Sequence, residues 1–338
     1  MKIYYYTICW GENYLNSLFN LSLKSFFSNK FKSQNNTHKI FIYTDNPNSI
    51  KINYKKNIND LKKKNLKIEL INYKKKINLF KTNKKSVWRF LGNFQKKALK
   101  HAKRNNAIYG FIYPDEIHSE NLSNFVVDKI NYYDFVFTPS NEIYLKNFKN
   151  SKYKKITKKN LLNIKIKNLE NYNKKDFLNY NFYTKHQTRA YFKIGKSIFY
   201  KSIHLSPMLI NPKKIKDINK IYTLDASLND SKNSYIVDPN DALLLSLEKT
   251  KDFTRNYKHT SSFFKLYFLR LIYYFNFNIK NINGINPFLY LKTYRIPVEK
   301  KSNFNLKKII FFDLFFFVIF ILSSVLKFFY NLKKFLKY

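Results

Sequence analysis

Apolar positions in the first 140 residues follow two rhythms. Residues 2–8 and 39–43 are short dense runs rich in aromatic and β-branched side chains, and 67–71 is a weaker one, which predicts three strands. Between the first two, apolar residues at 14, 15, 18, 19, 21, 23, 26 and 27 trace one face of an amphipathic helix. Trp88, Leu91, Phe94, Ala98, Leu99 and Ala102 share another helical face, and an apolar run from Ala107 to Tyr113 predicts a further strand after it. Ser119 is placed to cap a helix running through Phe125 and Val126, and 134–137 reads as a strand.

Strands separated by helices predict a mostly parallel open sheet flanked by helices, a three-layer α/β/α arrangement. The first strand is then expected at its centre, with Thr7, Trp10, Gly11 and Glu12 at or just past its carboxyl end. Residues 141–181 are rich in Lys and Asn with little periodicity and read as an exposed, variable insertion. Order returns at 192–200 and 204–210, and Asp238-Pro239 with Asp241 suggests a turn and the cap of a helix over 242–247. This organisation divides the chain into a domain over 1–250, an aromatic linker region over 251–304 and a C-terminal segment over 305–338.

The C-terminal segment changes the picture. Residues 309–326 are apolar except for Asp313, Ser323 and Ser324, and lysines 307, 308, 327, 333 and 334 flank them. Eighteen helical residues rise about 27 Å against a hydrocarbon layer of about 30 Å, so a membrane-associated helix is expected, either spanning or lying in the headgroup region.

The formal net charge is +42, from 63 Lys+Arg against 21 Asp+Glu, which points to anionic partners: nucleic acid, a membrane surface or phosphates. Only six of the basic residues are arginine, at 89, 104, 189, 255, 270 and 295. Phosphate recognition favours the arginine fork, so the scarcity of arginine argues against nucleic acid, and A/T-rich codons that supply Lys, Asn, Ile, Phe and Tyr together account for much of the charge. Cys9, the sole cysteine, excludes an intrachain disulfide and fits a buried thiol in a reducing compartment.

Phe111-Ile112-Tyr113-Pro114-Asp115-Glu116 is an apolar run that stops on two carboxylates. Pro114 cannot donate to a ladder, so the acids fall just past a strand's carboxyl end, where open α/β sheets bind ligands. The same residues also suit a simple Pro-Asp turn. No GxxxxGKS, GxGxxG, HExxH or GxSxG motif is present, so any phosphate chemistry must rest on carboxylates and strand ends.

The order of Ile8-Cys9-Trp10-Gly11-Glu12-Asn13-Tyr14-Leu15, Ile42-Tyr43-Thr44-Asp45, Tyr113-Pro114-Asp115-Glu116, His204-Leu205-Ser206-Pro207 and Thr223-Leu224-Asp225 resembles nucleotide-sugar-dependent glycosyltransferases of the GT-A type, over roughly residues 1–245. The resemblance implies a GT-A-like fold and transfer of a sugar from a nucleoside-diphosphate sugar to a glycan or lipid-linked acceptor, in cell-envelope polysaccharide synthesis at the cytoplasmic side of the membrane. It further implies Asp115 and His204 as ligands of Mg²⁺ or Mn²⁺, Asp225 as the base, and Thr7, Trp10, Gly11, Asp45, Lys96 and Asp115 around the nucleotide sugar. The family's Asp-x-Asp motif is degenerate here, because Tyr113 stands at its first acidic position. Two other readings stay open: a membrane-tethered nucleotide-sugar binder without catalysis, and a membrane-tethered nucleic-acid-binding protein. His204 also suits a polar loop, Asp45 an Asx turn, and Asp230, Asp238 and Asp241 compete with Asp225.

Overall fold

The computed structural model describes residues 1–29, 31, 36–82, 87–139, 141–144, 156–164, 189–194, 197–202, 205–221, 233–239, 241–248, 293–297, 314 and 318. The expected strands form: β1 is Lys2–Cys9, β2 Thr37–Thr44, β3 Leu66–Asn72 and β4 Ile108–Phe111. All four are parallel neighbours in the order β4-β1-β2-β3. β1 is therefore central to this group. Three more strands, β6 (Phe135–Pro139), β10 (Leu205–Ile210) and β11 (Ser234–Ile236), complete a seven-stranded sheet in which β10 runs antiparallel between β4 and β6.

Alternation along β1 sends its two sets of side chains into different helical layers. Ile3, Tyr5 and Cys9 join Ile40 and Ile42 of β2 in a core covered by the helix after β1, by α3 (Pro47–Asn53) and α4 (Lys55–Lys62), and by α7 (Leu122–Lys129). Tyr4 and Tyr6 face the opposite layer, where they meet His101 of α6 (Val87–Arg104). The Tyr6 hydroxyl lies 2.8 Å from His101 Nδ1, while Phe94 packs on Tyr43 and Phe111. Among the described residues the seven-stranded sheet is thus largely parallel and carries helices on both faces.

The helix after β1 is interrupted. It runs as α1 (Glu12–Ser17), a π-helical turn Leu18–Ser22, then α2 (Leu23–Phe26). A second sheet, β5 (Glu116–His118), β12 (Leu244–Glu248) and β7 (Asn141–Tyr144), has its own core of Ile117, Leu161, Ile164, Leu243, Leu245 and Leu247. A third sheet joins β8 (Arg189–Ile194), β9 (Ser197–Ser202) and β13 (Thr293–Pro297).

Several expectations are corrected. The 242–247 run is not a helix: it leads into β12 (Leu244–Glu248), which pairs with β5 and β7, and Leu243, Leu245 and Leu247 fill the second core, whereas the turn before it forms through Asp241 and Ala242 amides donating to Asp238 O. A short apolar run does not itself choose between strand and helix. Ser119 does not cap α7: Asn121 occupies the N-cap position in a left-handed conformation (φ 68°) without a side-chain cap bond, and Ser119 Oγ accepts from Leu243 N at 2.9 Å. Within the supposed exposed insertion, Asn141–Tyr144 is a paired strand, and Leu161 and Ile164 are buried.

Among the described residues no helix is long and apolar enough to cross a membrane. The 309–326 segment lies outside them except for Leu314 and Val318, which are helical and exposed. The aromatic 263–277 stretch lies outside them altogether.

Candidate active site

The site is built from the carboxyl ends of β4, β1 and β2. β1 exits through Trp10 into Gly11, whose φ of 76° is strained for any residue with a Cβ. Gly11 O then accepts from Leu15 N at 3.1 Å, which turns the chain directly into α1. Trp10 is half-buried and held edge-on between Phe80 of α5 (Lys74–Thr82) and Phe90 of α6, with centroids 5.7 and 5.8 Å away.

At the end of β2, Asp45 Oδ2 lies 3.4 Å from Lys81 Nζ on α5. The residue that turns the chain there is Asn46, whose side chain accepts from Ser49 N at the start of α3. Asp45 is thereby left at the edge with a cation beside it. Farther along this edge, a cavity of about 520 Å³ is lined by Asn72, Tyr73, Lys74, Lys75, Lys76 and Asn78.

The acidic loop leaves β4 beside β1. Ile112 N still donates to Tyr6 O at 3.0 Å, so the strand pairing outlasts Phe111 by one bond before Pro114 breaks it. Tyr113 is gripped twice. Ser22 Oγ donates to its carbonyl at 2.7 Å from one helical layer, and Gln95 Nε2 donates to its hydroxyl at 3.1 Å from the other. Its ring also packs edge-on against Phe111, with centroids 4.5 Å apart.

The two acids diverge at this point. Asp115 is half-buried, its carbonyl accepting from Leu247 N at 2.6 Å, while Glu116 is buried in β5 with Oε2 3.5 Å from His118 Nε2. Burial lowers the His118 pKa to about 3, so this imidazole is neutral at ordinary pH. Ser25 Oγ accepts from His118 N at 3.1 Å and lies 3.3 Å from its Nδ1. Tyr14, on the first turn of α1, has its pKa raised by burial and then by the charge of Asp115, so the two lie within electrostatic reach of each other.

No protein-family model matches the chain, and no curated protein matches it. Among solved structures, two of S. aureus TarS overlap it weakly. One is 10% identical over 82% of this chain with a TM-score of 0.37, and the chain spans 43% of its length. The other, TarS 1–349, is 12% identical over 83% of this chain with a TM-score of 0.34 and is spanned over 66% of its length. A likeness this slight carries no argument about chemistry.

The structure therefore brings Trp10, Gly11, Asp45 and Asp115 to one edge of three adjacent parallel strands, as the sequence predicts. Thr7 is wholly buried, and its Oγ1 has no hydrogen-bond partner among the described residues. Lys96 is half-exposed on α6, and its neighbour Gln95 is the residue that reaches the loop. His204 and Asp225 lie outside the described residues. β10, however, begins at Leu205 and runs antiparallel to β4 with Leu209 opposite Gly110, so its amino end lies at the edge where β4 ends.

Among the described residues no group of three or more His, Cys, Asp or Glu could hold a metal. Asp115 is a hard oxygen donor of the type Mg²⁺ and Mn²⁺ take, whereas Glu116 is turned inward to His118. Sequence reasoning missed Ser22, Ser25 and His118 as loop anchors. The two serines interrupt the apolar run Leu18-Phe19-Asn20-Leu21-Ser22-Leu23-Lys24-Ser25-Phe26-Phe27, and that interruption was the available signal.

Proposed function

We propose that this chain is a glycosyltransferase that moves a sugar from a nucleoside-diphosphate donor to a glycan or lipid-linked acceptor at the cytoplasmic face of a membrane. The observation that carries the reading is the convergence of Trp10-Gly11, Asp45 and Asp115 at the carboxyl edge of three adjacent parallel strands, the ligand-binding edge of open α/β sheets.

In this reading, the bare Gly11 backbone lets the donor approach, Trp10 supplies a fixed aromatic wall, and Asp45 hydrogen-bonds the nucleoside. Asp115 and His204 would hold Mg²⁺ or Mn²⁺, which would supply positive charge to the donor's diphosphate. Asp225 takes the proton of the acceptor hydroxyl as its oxygen displaces the leaving group. Lys96 faces the phosphates.

Release of nucleoside diphosphate from a panel of nucleotide sugars tests the reading. Turnover by the wild type, lost in Asp115→Asn, supports it; no turnover with any donor contradicts it. A catalytically silent nucleotide-sugar binder is the second reading, favoured by Tyr113 at the first acidic position. It predicts metal-independent diphosphate binding without turnover.

A further inference from the structure

Tyr113 occupies the position where the resemblance leads one to expect a carboxylate, and the structure anchors it at three points. Its carbonyl, hydroxyl and ring are each engaged, by Ser22, Gln95 and Phe111 respectively. Ser22 and Gln95 come from the two opposite helical layers, so the sheet's covering helices close on this residue from both sides. Both are buried, with 0% and 1% exposure.

The π-helical turn makes the reach from the first layer consistent with the rest of the helix. An extra residue in the turn Leu18–Ser22 rotates the following segment, so that Ser22 meets Tyr113 O and Ser25, one turn on, meets His118. Asp115 lies between these two anchored points and is tied at its own carbonyl to Leu247. Two residues upstream and three downstream, the chain is bonded to the same helix.

We infer that Ser22 and Gln95 are positioning residues which, through Tyr113, fix the carboxylate of Asp115 at the sheet edge. A site with one carboxylate in place of two gains most from holding that carboxylate still, because a small misplacement of a charge-stabilising group costs much of its effect. The inference rests on the proposed function for what Asp115 is held against, and on geometry alone for the holding itself.

The test uses the full chain and Ser22→Ala, Ser22→Thr and Tyr113→Phe. Backbone hydrogen exchange over 112–118 is compared with the thermal midpoint measured with and without Mn²⁺ plus uridine diphosphate, the other common nucleoside diphosphates being tried in turn. Ser22→Ala removes the Ser22 hydroxyl from the Tyr113 carbonyl, so exchange in this segment is expected to quicken about tenfold. The metal-and-diphosphate-dependent rise in midpoint is expected to fall away in Ser22→Ala while the ligand-free midpoint moves little, and Ser22→Thr is expected to restore both.

Exchange unchanged in both Ser22→Ala and Tyr113→Phe overturns the inference, whatever the ligands do. A wild type that responds to no diphosphate overturns the proposed function instead, and exchange alone then decides the anchoring.

Discussion

Tyr5 of β1 packs directly against the bare backbone of Gly110 in β4: a Cβ built there would lie 2.7 Å from Tyr5 Cδ1 and 3.1 Å from Leu209 Cδ2. Tyr5 is wholly buried between Phe26, Phe27 and His38, so it has nowhere to swing. The two strands whose ends carry Trp10-Gly11 and Asp115 are spaced by this contact. Gly110→Ala is expected to destabilise the protein by about 1–3 kcal/mol, the usual cost of overpacking. Urea denaturation checks this, and an unchanged midpoint would show that the strands can separate freely.

His38 lies flat on Phe31, with rings 3.4 Å apart and 3° from parallel, and Tyr5 Oη is 3.4 Å from its Nδ1. Burial, and secondarily the amino terminus, lowers its pKa from 6.5 to about 4. The folded state therefore binds the proton less readily than the unfolded chain. Its contribution is full above pH 6.5 and drains away as pH falls towards 4, by on the order of 3 kcal/mol. His118, lowered to about 3, acts with the same sign over a window reaching further down. Denaturation midpoints between pH 7.5 and 4.5 should fall less steeply in His38→Phe than in the wild type; equal slopes would contradict the assignment.

The fold was legible where a pattern had one physical meaning. Residues 2–8 and 39–43 are dense, aromatic and β-branched, and the 3.6-residue spacing from Trp88 to Ala102 admits only a helix. α3, α4 and α5 were not read, because each buries a single aliphatic residue, Ile50, Leu61 or Ile77, among lysines and asparagines. The β12 leucines were misread because their partners, β5 and β7, are far away in sequence. In the site, Trp10, Gly11, Asp45 and Asp115 were legible as strand-end residues. Ser22 and Gln95 were not assigned as anchors, since their partners depend on a π-helical turn and on the packing of α6.

Asp115→Asn and Asp225→Asn should fail differently. On the proposed function the first removes a ligand of the cation, and it is expected to abolish metal-dependent diphosphate binding and turnover together. The second removes the base and is expected to lower turnover about 10²–10⁴-fold while diphosphate binding persists. Rates and binding isotherms on both variants check this, and an Asp225→Asn enzyme with wild-type turnover would sink the base assignment.

Leu314 and Val318 stand one helical turn apart and are 55% and 48% exposed, within the apolar segment flanked by lysines 307, 308, 327, 333 and 334. Attachment of this segment to an anionic bilayer would require these two side chains to enter the acyl region. Leu314→Asp with Val318→Asp is expected to lower co-sedimentation with vesicles of phosphatidylglycerol and phosphatidylcholine about tenfold. Unchanged sedimentation would remove this segment from membrane attachment, and steeply salt-dependent binding to DNA or RNA in its place would favour the nucleic-acid reading.

The proposed function requires the Trp10–Asp45–Asp115 edge to hold a nucleoside diphosphate together with a divalent cation. Thermal unfolding of the full chain with nucleoside diphosphates and nucleotide sugars, each with and without Mn²⁺, tests it most directly, because a ligand of the native state raises apparent stability. A rise of several degrees with one nucleoside diphosphate and Mn²⁺ together, absent with either alone and lost in Asp115→Asn, is the predicted result; no rise with any nucleotide, or a rise indifferent to both Mn²⁺ and Asp115, would contradict the account.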